Sequence, residues 1–303
     1  MYKQANVIIW MLILIITSIW GYSWVMMKAS LSFMGPFTFS AFRFGIGAVT
    51  LLLIVLIWKV KLPPKEQWKH LIVVGVLQTT IVFLLVMYGL RFVDAGKSSI
   101  ILYTMPIWSS ILAAKFLGET LTKKKWVGLL IGMLGLFMVI GWDFFSEQRM
   151  NVIFGEILIV ISAVSWAASN VYYRKKLEGL SKLQVSAFQM LFGTVGITVA
   201  ASIMEWGEPI HWNGELISYI LFTGVLASAL CFTAWFIILS RIDMVTATLS
   251  TLLVPVFGLF FSLLLLDEII TTNIIYGSIL IIVGIIICVG TGPMSKGSVP
   301  SSH

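Results

Sequence analysis

The stretch PIWSSILAAKFLGETL, residues 106–121, sets a proline inside an apolar run and reaches an acid, Glu119, thirteen positions later. At 255–270 the chain writes the sentence again as PVFGLFFSLLLLDEII, with Pro255 and Glu268 separated by the same interval as Pro106 and Glu119. Neither copy holds a catalytic motif. A pattern that returns at a fixed offset marks a duplicated structural unit, and the offset gives its length.

The correspondence extends outward in both directions. Ser40, Ala41 and Phe42 match Ser186, Ala187 and Phe188 at an offset of 146. Trp20 falls on Trp166, Ser23 on Ser169 and Lys28 on Arg174 at the same offset. Farther along the offset becomes 149: Gly75, Thr79 and Phe83 match Gly224, Ser228 and Phe232, and Gly128 and Gly135 match Gly277 and Gly284. Identities that keep their order along each half, with one three-residue slip, mark two copies of one unit.

The 303 residues are 59% hydrophobic and 11% charged, with a mean hydropathy of +1.01. A soluble domain carries roughly a quarter charged residues, because its surface meets water. Apolar runs of about 20 residues, long enough to cross a bilayer, recur throughout. Ten are read, at about 7–27, 36–58, 70–90, 98–117, 126–142, 154–173, 184–204, 216–239, 244–266 and 272–290. Five helices per copy is an odd number, so the second copy enters the membrane upside down relative to the first. The expected fold is an all-α integral membrane protein of ten transmembrane helices, built as two inverted five-helix repeats. Its organisation is a first repeat over 1–142, an external linker over 143–153, a second repeat over 154–290 and a disordered cytoplasmic tail over 291–303.

The net charge of +7 would suggest nucleic acid in a soluble protein. Here its placement sets orientation instead. With a cytoplasmic N-terminus, Lys59, Lys61, Lys65 and Lys69, then Lys123, Lys124 and Lys125, then Arg174, Lys175 and Lys176 all fall inside, while acids such as Glu147, Glu205 and Glu208 fall outside. Both termini are expected in the cytoplasm and no nucleic-acid partner is expected. The first run is too long for a signal-peptide core and is read as a retained helix. Cys231 and Cys288 form no disulfide framework or metal spacing, and His70, His211 and His303, expected in loops or the tail, form no cluster. No metal or cofactor is expected.

Pro106 and Pro255 each lack an amide N–H and clash with the carbonyl four residues back, at Leu102 and Thr251, so the fourth and ninth helices should kink. A freed carbonyl is tolerated at membrane depth where it faces protein or a wet cavity. The two prolines are therefore candidate hinges facing the interior, against a static packing bend.

Taken together, Trp20-Gly21 near the end of the first helix, SAFRF with Arg43 in the second, the mid-helix Pro106 followed by LGETL with Glu119, and their echoes in the second half resemble the EamA type of the drug/metabolite transporter superfamily. The resemblance covers about 7–290. It implies a secondary transporter moving a small organic solute, a metabolite or amino-acid-like compound, outward by alternating access across a bacterial cytoplasmic membrane. Helices 1–4 and 6–9 would line the path and 5 and 10 brace it. A multidrug or toxic-compound exporter is the alternative, with a channel-like facilitator behind it.

Polar groups at membrane depth are the candidates for the solute path. Arg43 is the clearest: it attracts an anionic solute group or ties helix 2 to a neighbour, and its repeat counterpart is the neutral Gln189. Trp20, and Ser162, Trp166 and Asn170 spaced by four along helix 6, present polar-aromatic faces that suit either a flat solute or helix packing. Gln78 and Tyr103 carry hydrogen-bonding demand, and Ser99 and Tyr103 share a face with Pro106. Thr79 and Ser228 belong to helix faces with Gly75 and Gly224, for which close packing is the favoured reading. Glu119 and Glu268, at opposite interfaces, serve as gate latches or as caps of the next helix. Gly128 and Gly132 form a GxxxG pair suited to packing or to a homodimer. Helix 1 has no Asp or Glu, so the proton exchange of the four-helix multidrug relatives, which uses a glutamate there, cannot be copied. An enzyme would need a cluster of catalytic acids, histidines or metal ligands, and the sequence has none.

Overall fold

The computed structural model describes residues 2–93, 95–119, 122–140, 149–266 and 272–289. Among them the chain forms ten helices. In order these are α1 (Tyr2–Ser30), α2 (Pro36–Ile57), α3 (Lys65–Gly89), α4 (Ala95–Leu102 and Met105–Leu117) and α5 (Lys123–Ile140). The second half repeats them as α6 (Met150–Lys176), α7 (Lys182–Met204), α8 (Gly214–Leu239), α9 (Met244–Ser250 and Leu253–Leu266) and α10 (Thr272–Val289). Seven of these, α1–α4 and α6–α8, are long and apolar enough to cross a membrane by length and composition. Outward-facing Leu53, Leu56, Val195, Val199 and Ile286 are exposed, as lipid-facing side chains must be, and the rings of Trp58, Trp206 and Trp212 are exposed near helix ends.

His70 lies inside α3 and not in a loop; its Nδ1 sits 2.8 Å from the Tyr172 hydroxyl. The helix begins at Lys65, directly after Pro63-Pro64, so its first turn is polar and carries no hydropathy signal.

The duplication is written into contacts. A Cβ on Gly224 of α8 would fall 2.8 Å from the Arg43 carbonyl of α2, and one on Gly75 of α3 would strike the carbonyl of Gln189 on α7, the repeat counterpart of Arg43. Gly47 abuts the Gly224 carbonyl and its counterpart Gly193 abuts that of Gly75. A Cβ on Gly128 of α5 would fall 2.7 Å from the Gly284 carbonyl of α10, and one on Gly135 would fall 2.6 Å from that of Gly277. These reciprocal pairs describe a pseudo-two-fold that exchanges the inverted halves. The glycines let backbones touch where dispersion, not the hydrophobic effect, holds helices together. Gly128 and Gly132 therefore pack within the chain, against α10 and against Leu249 and Leu252 of α9.

Both expected kinks are present. The helical ladder breaks at Tyr103–Thr104 in α4 and Thr251–Leu252 in α9, just ahead of Pro106 and Pro255. At each break the amides tighten to three-residue spacing, Thr104 to Ile101 and Thr251 to Thr248. Threonine hydroxyls take the same carbonyls: Thr104 Oγ1 donates to Ile101 at 2.8 Å and Thr251 Oγ1 to Thr248 at 2.6 Å. Both prolines are buried in protein.

A second matched irregularity was not legible in the sequence. α3 widens into a π-helical segment at Val76–Ile81, and α8 does so at Phe222–Leu230. Wide turns expose carbonyls to intruding donors. Ser165 Oγ donates to the Leu77 carbonyl at 2.7 Å, and Trp20 Nε1 donates to that of Ala227 at 2.9 Å.

Candidate functional site

The two halves meet in a plug of aromatic rings. Trp20 and Trp166, repeat counterparts on α1 and α6, stand edge to face with centroids 5.8 Å apart. Phe232 stacks on Trp166 at 5.9 Å, and Phe83, its counterpart, lies 6.2 Å from the same ring. Trp235 closes the group, 6.0 Å from Trp20. Offset and edge-to-face pairs of this kind add to the apolar burial that holds the halves together.

On one side of this plug lies a cavity of about 20 Å³, lined by Trp20, Trp24, Arg43, Phe83, Tyr103 and Trp166 among others. That is room for about one water, so the cleft is closed on the scale of an organic solute. Arg43 is 2% exposed. Its Nε donates to Ser228 Oγ at 2.9 Å, its Nη1 faces Met27 Sδ, and its guanidinium lies 4.8 Å from the centroid of Phe83 and 4.9 Å from that of Phe44. No carboxylate among the described residues pairs with it.

The counterpart residues are also hydrogen-bonded, without charge and with donor and acceptor exchanged. Thr79 Oγ1, counterpart of Ser228, donates to Oε1 of Gln189, counterpart of Arg43, at 2.9 Å. Beside it Ser169 Oγ donates to Gln78 Oε1 at 3.2 Å, and Trp235 Nε1 donates to Asn170 Oδ1 at 3.1 Å. Gln78 Nε2, Gln189 Nε2 and Trp166 Nε1 are buried without a partner. Each unpartnered buried donor costs about 1–3 kcal/mol.

Of the residues singled out from sequence, Trp20, Arg43, Tyr103 and Trp166 come together at the cavity. Gln78, Thr79, Gln189 and Asn170 form the second polar layer, and Ser228 holds Arg43. Ser162 turns to its own helix, donating to the Ile159 carbonyl at 2.7 Å, and Ser99 is buried on α4 away from the cavity. Ser23, Met27, Val86 and Leu102 also line the cavity. They are small or apolar, so nothing in the sequence separates them from packing residues.

The end of the bundle that holds Glu119 is tied by charge. Glu119, just past α4, pairs with Arg174 at the end of α6 and accepts from the Met244 amide at the start of α9. It thus joins the two halves at this end and meets the first amide of α9. Lys125 of α5 pairs with Asp243 at 2.9 Å, and Asp243 caps α9 by accepting from the Thr246 amide at 3.0 Å. Burial raises the Glu119 carboxyl above its usual range, outweighing the pull of Arg174. Asp243 feels burial too, but hydrogen bonds from Lys125 and Thr246 outweigh it and leave its carboxyl lowered. Glu268 lies outside the described residues.

At the opposite end Glu205, at the end of α7, caps α2 across the repeat boundary. It accepts from the Phe37 amide at 2.9 Å and from the Thr38 amide and hydroxyl at 2.7 Å each. Beside this tie a dent of about 240 Å³ opens between Phe33, Arg91 and Glu208.

A ten-helix bundle of inverted repeats with polar residues on the seam between them is the architecture of many membrane transporters. The chain belongs to the EamA-like transporter family, whose model matches residues 7–141 and 153–290, one match to each repeat. It is 35% identical to the uncharacterized transporter YoaV of Bacillus subtilis, over 90% of this chain and 94% of that one. It is 25% identical to a probable amino-acid metabolite efflux pump of Escherichia coli, over 91% and 93% of the two chains. A crystal structure with 18% sequence identity shares the fold, with a TM-score of 0.76 over 95% of this chain and 98% of that one.

Proposed function

We propose that this transporter moves a small organic solute, a metabolite or amino-acid-like compound, out across a bacterial cytoplasmic membrane by alternating access, with both termini inside. The observation that carries the reading is the position of the closed cavity. It is lined by the first repeat, through Trp20, Arg43, Phe83 and Tyr103 among others, and meets the second repeat at Trp166. Cross-repeat ties stand at both ends of the bundle, Glu119–Arg174 and Lys125–Asp243 at one and Glu205 on α2 at the other. A carrier must open one set while the other stays shut, and inverted repeats give two such states of similar energy. Positive charge concentrated at the Glu119 end supports placing that end in the cytoplasm. The name of the Escherichia coli relative supports the amino-acid-like solute class and the outward direction.

The aromatic plug would also suit a drug-like compound, which keeps multidrug export as a second reading. The buried Arg43, with no acid beside it, counts against the cationic members of that class.

Solute counterflow in proteoliposomes tests the reading. Saturable exchange of a labelled amino acid or organic acid, accelerated by unlabelled solute on the far side, is expected. Linear, non-saturating flux would mean a pore instead.

A further inference from the structure

We propose that the cavity beside Arg43 is an anion subsite that receives a carboxylate of the transported solute. This names the solute class and rests on the transporter reading above.

Arg43 is a cation two turns inside its helix and within the bundle, where ionisable groups mark solute paths or carry a partner. Among the described residues everything it meets is neutral: the Ser228 hydroxyl, the Met27 sulfur and the rings of Phe44 and Phe83. A purely structural tie between α2 and α8 would account for the Ser228 bond. The repeat supplies the control for that explanation. Gln189 joins the counterpart helices through a neutral amide, its oxygen accepting from Thr79. Joining these helices therefore requires no charge, and the guanidinium at position 43 needs another reason.

The hydrogen-bonding balance of the cleft gives the reason its sign. Trp166 lines the cavity, and its Nε1 is buried without a partner. Deeper along the seam the oxygens of Gln78 and Gln189 are both taken, by Ser169 and Thr79, while their amide nitrogens are not. The open valences here are N–H donors. A solute group rich in acceptors and negatively charged satisfies them and supplies Arg43 with its missing counter-charge. An ammonium group would do neither.

The test uses the purified full-length protein in detergent. Tryptophan fluorescence, with Trp20, Trp24 and Trp166 in the cavity wall, is titrated with matched pairs: phenylalanine and its amide, leucine and its amide, benzoate and benzamide. A phosphomonoester and a simple amine complete the set. Carboxylates should bind at least about tenfold more tightly than their amides, as a charged hydrogen-bonded partner does. Arg43→Gln should bring that ratio to about one, and Arg43→Lys should keep part of it. Equal affinity of acids and amides, preference for the amine or phosphomonoester, or failure of every carboxylate to bind would overturn the subsite. The wild-type ratio is readable even if Arg43→Gln does not fold. Counterflow of the same compounds separates the two readings. Exchange without acid–amide discrimination leaves transport standing and removes the subsite, while carboxylate binding without any exchange does the reverse.

Discussion

Lys28 and Arg174 make one contact twice. Lys28 Nζ donates to the carbonyls of Leu90 at 2.7 Å and Val93 at 3.3 Å, closing the end of α3. Arg174, its counterpart, donates to the carbonyls of Leu239 and Ile242 at the end of α8, each 149 positions after the first pair. Cations favour helix C-termini because the last carbonyls are unpaired and the dipole is negative there. Arg174 also pairs with Glu119, whose repeat counterpart Glu268 lies outside the described residues.

The described contacts predict graded costs at that end. Arg174→Ala loses the helix-end contact and leaves a half-buried carboxylate without its cation, about 2–3 kcal/mol after allowance for solvent. Thermal unfolding in detergent should therefore rank Arg174→Ala below Arg174→Lys. In a Glu119→Gln background the loss on Arg174→Ala should shrink to that of the helix-end contact alone, about 1 kcal/mol. An equal loss in both backgrounds would mean the Glu119 pair adds nothing.

The pH response of that end follows from the direction of the Glu119 shift. Burial holds its carboxyl above the usual range in the closed state, and opening to water returns it toward that range. The closed state therefore binds the proton more tightly, so acidification through the raised value favours closure, and the effect fades as pH rises above it. Asp243 acts in the opposite sense but only at lower pH, because its carboxyl is held below the usual range. Maleimide labelling of a Ser169→Cys variant should slow several-fold from about pH 7 to about pH 5 relative to the reagent's own pH dependence. Glu119→Gln should flatten that response, and a response unchanged by Glu119→Gln would assign the proton to another group.

Close backbone contact makes the glycines the most sensitive neutral positions. Gly224→Ala would place a methyl 2.8 Å from the Arg43 carbonyl, whereas Gly45→Ala meets only a Thr194 methyl at 3.8 Å. Backbone cannot yield as a side-chain tip can, so Gly224→Ala should cost about 1–3 kcal/mol or more, with Gly45→Ala near neutral. Yield of monodisperse protein on size exclusion, with melting temperature, checks the pair.

Much of this was legible before the fold. The doubled proline–acid sentence gave the inverted repeats, and the clash rule placed both breaks next to Leu102 and Thr251. Arg43 and the Trp20–Trp166 pair stood out because polar and aromatic groups at membrane depth need partners. The π-helical segments did not, since VLQTTI and FTGVLASAL carry no residue that demands a wide turn. Nor did the Glu205 cap: two of its three donors are backbone amides 167 and 168 positions away, which have no side-chain signature, and the third is the Thr38 hydroxyl.

Glu205 yields its own prediction. A carboxylate on the first turn of α2 satisfies amides that no intrahelical carbonyl reaches. Glu205→Ala should cost about 1–2 kcal/mol, and Glu205→Gln less, since an amide oxygen can still accept. Because this tie joins the halves at the end opposite Glu119, losing it should raise labelling from that side alone. A thiol at Thr38 reports there, and one at Ser169 should not respond.

The two central tryptophans should part company when each is cut to phenylalanine. Both lose similar ring area from the same plug. Trp20→Phe also strands the Ala227 carbonyl that its Nε1 now fills at 2.9 Å, whereas the Trp166 N–H has no partner to lose. Trp20→Phe should therefore be the less stable variant by about 1 kcal/mol. Solute affinity should run the other way, with Trp166→Phe weakening carboxylate binding several-fold, because Trp166 lines the cavity beside Arg43 and its N–H has no partner. Melting curves with and without saturating solute read both quantities on one sample: the unliganded order reports the Ala227 bond, and the liganded shift reports the Trp166 donor. If ligand shifts Trp166→Phe as far as wild type, that N–H plays no part in holding solute.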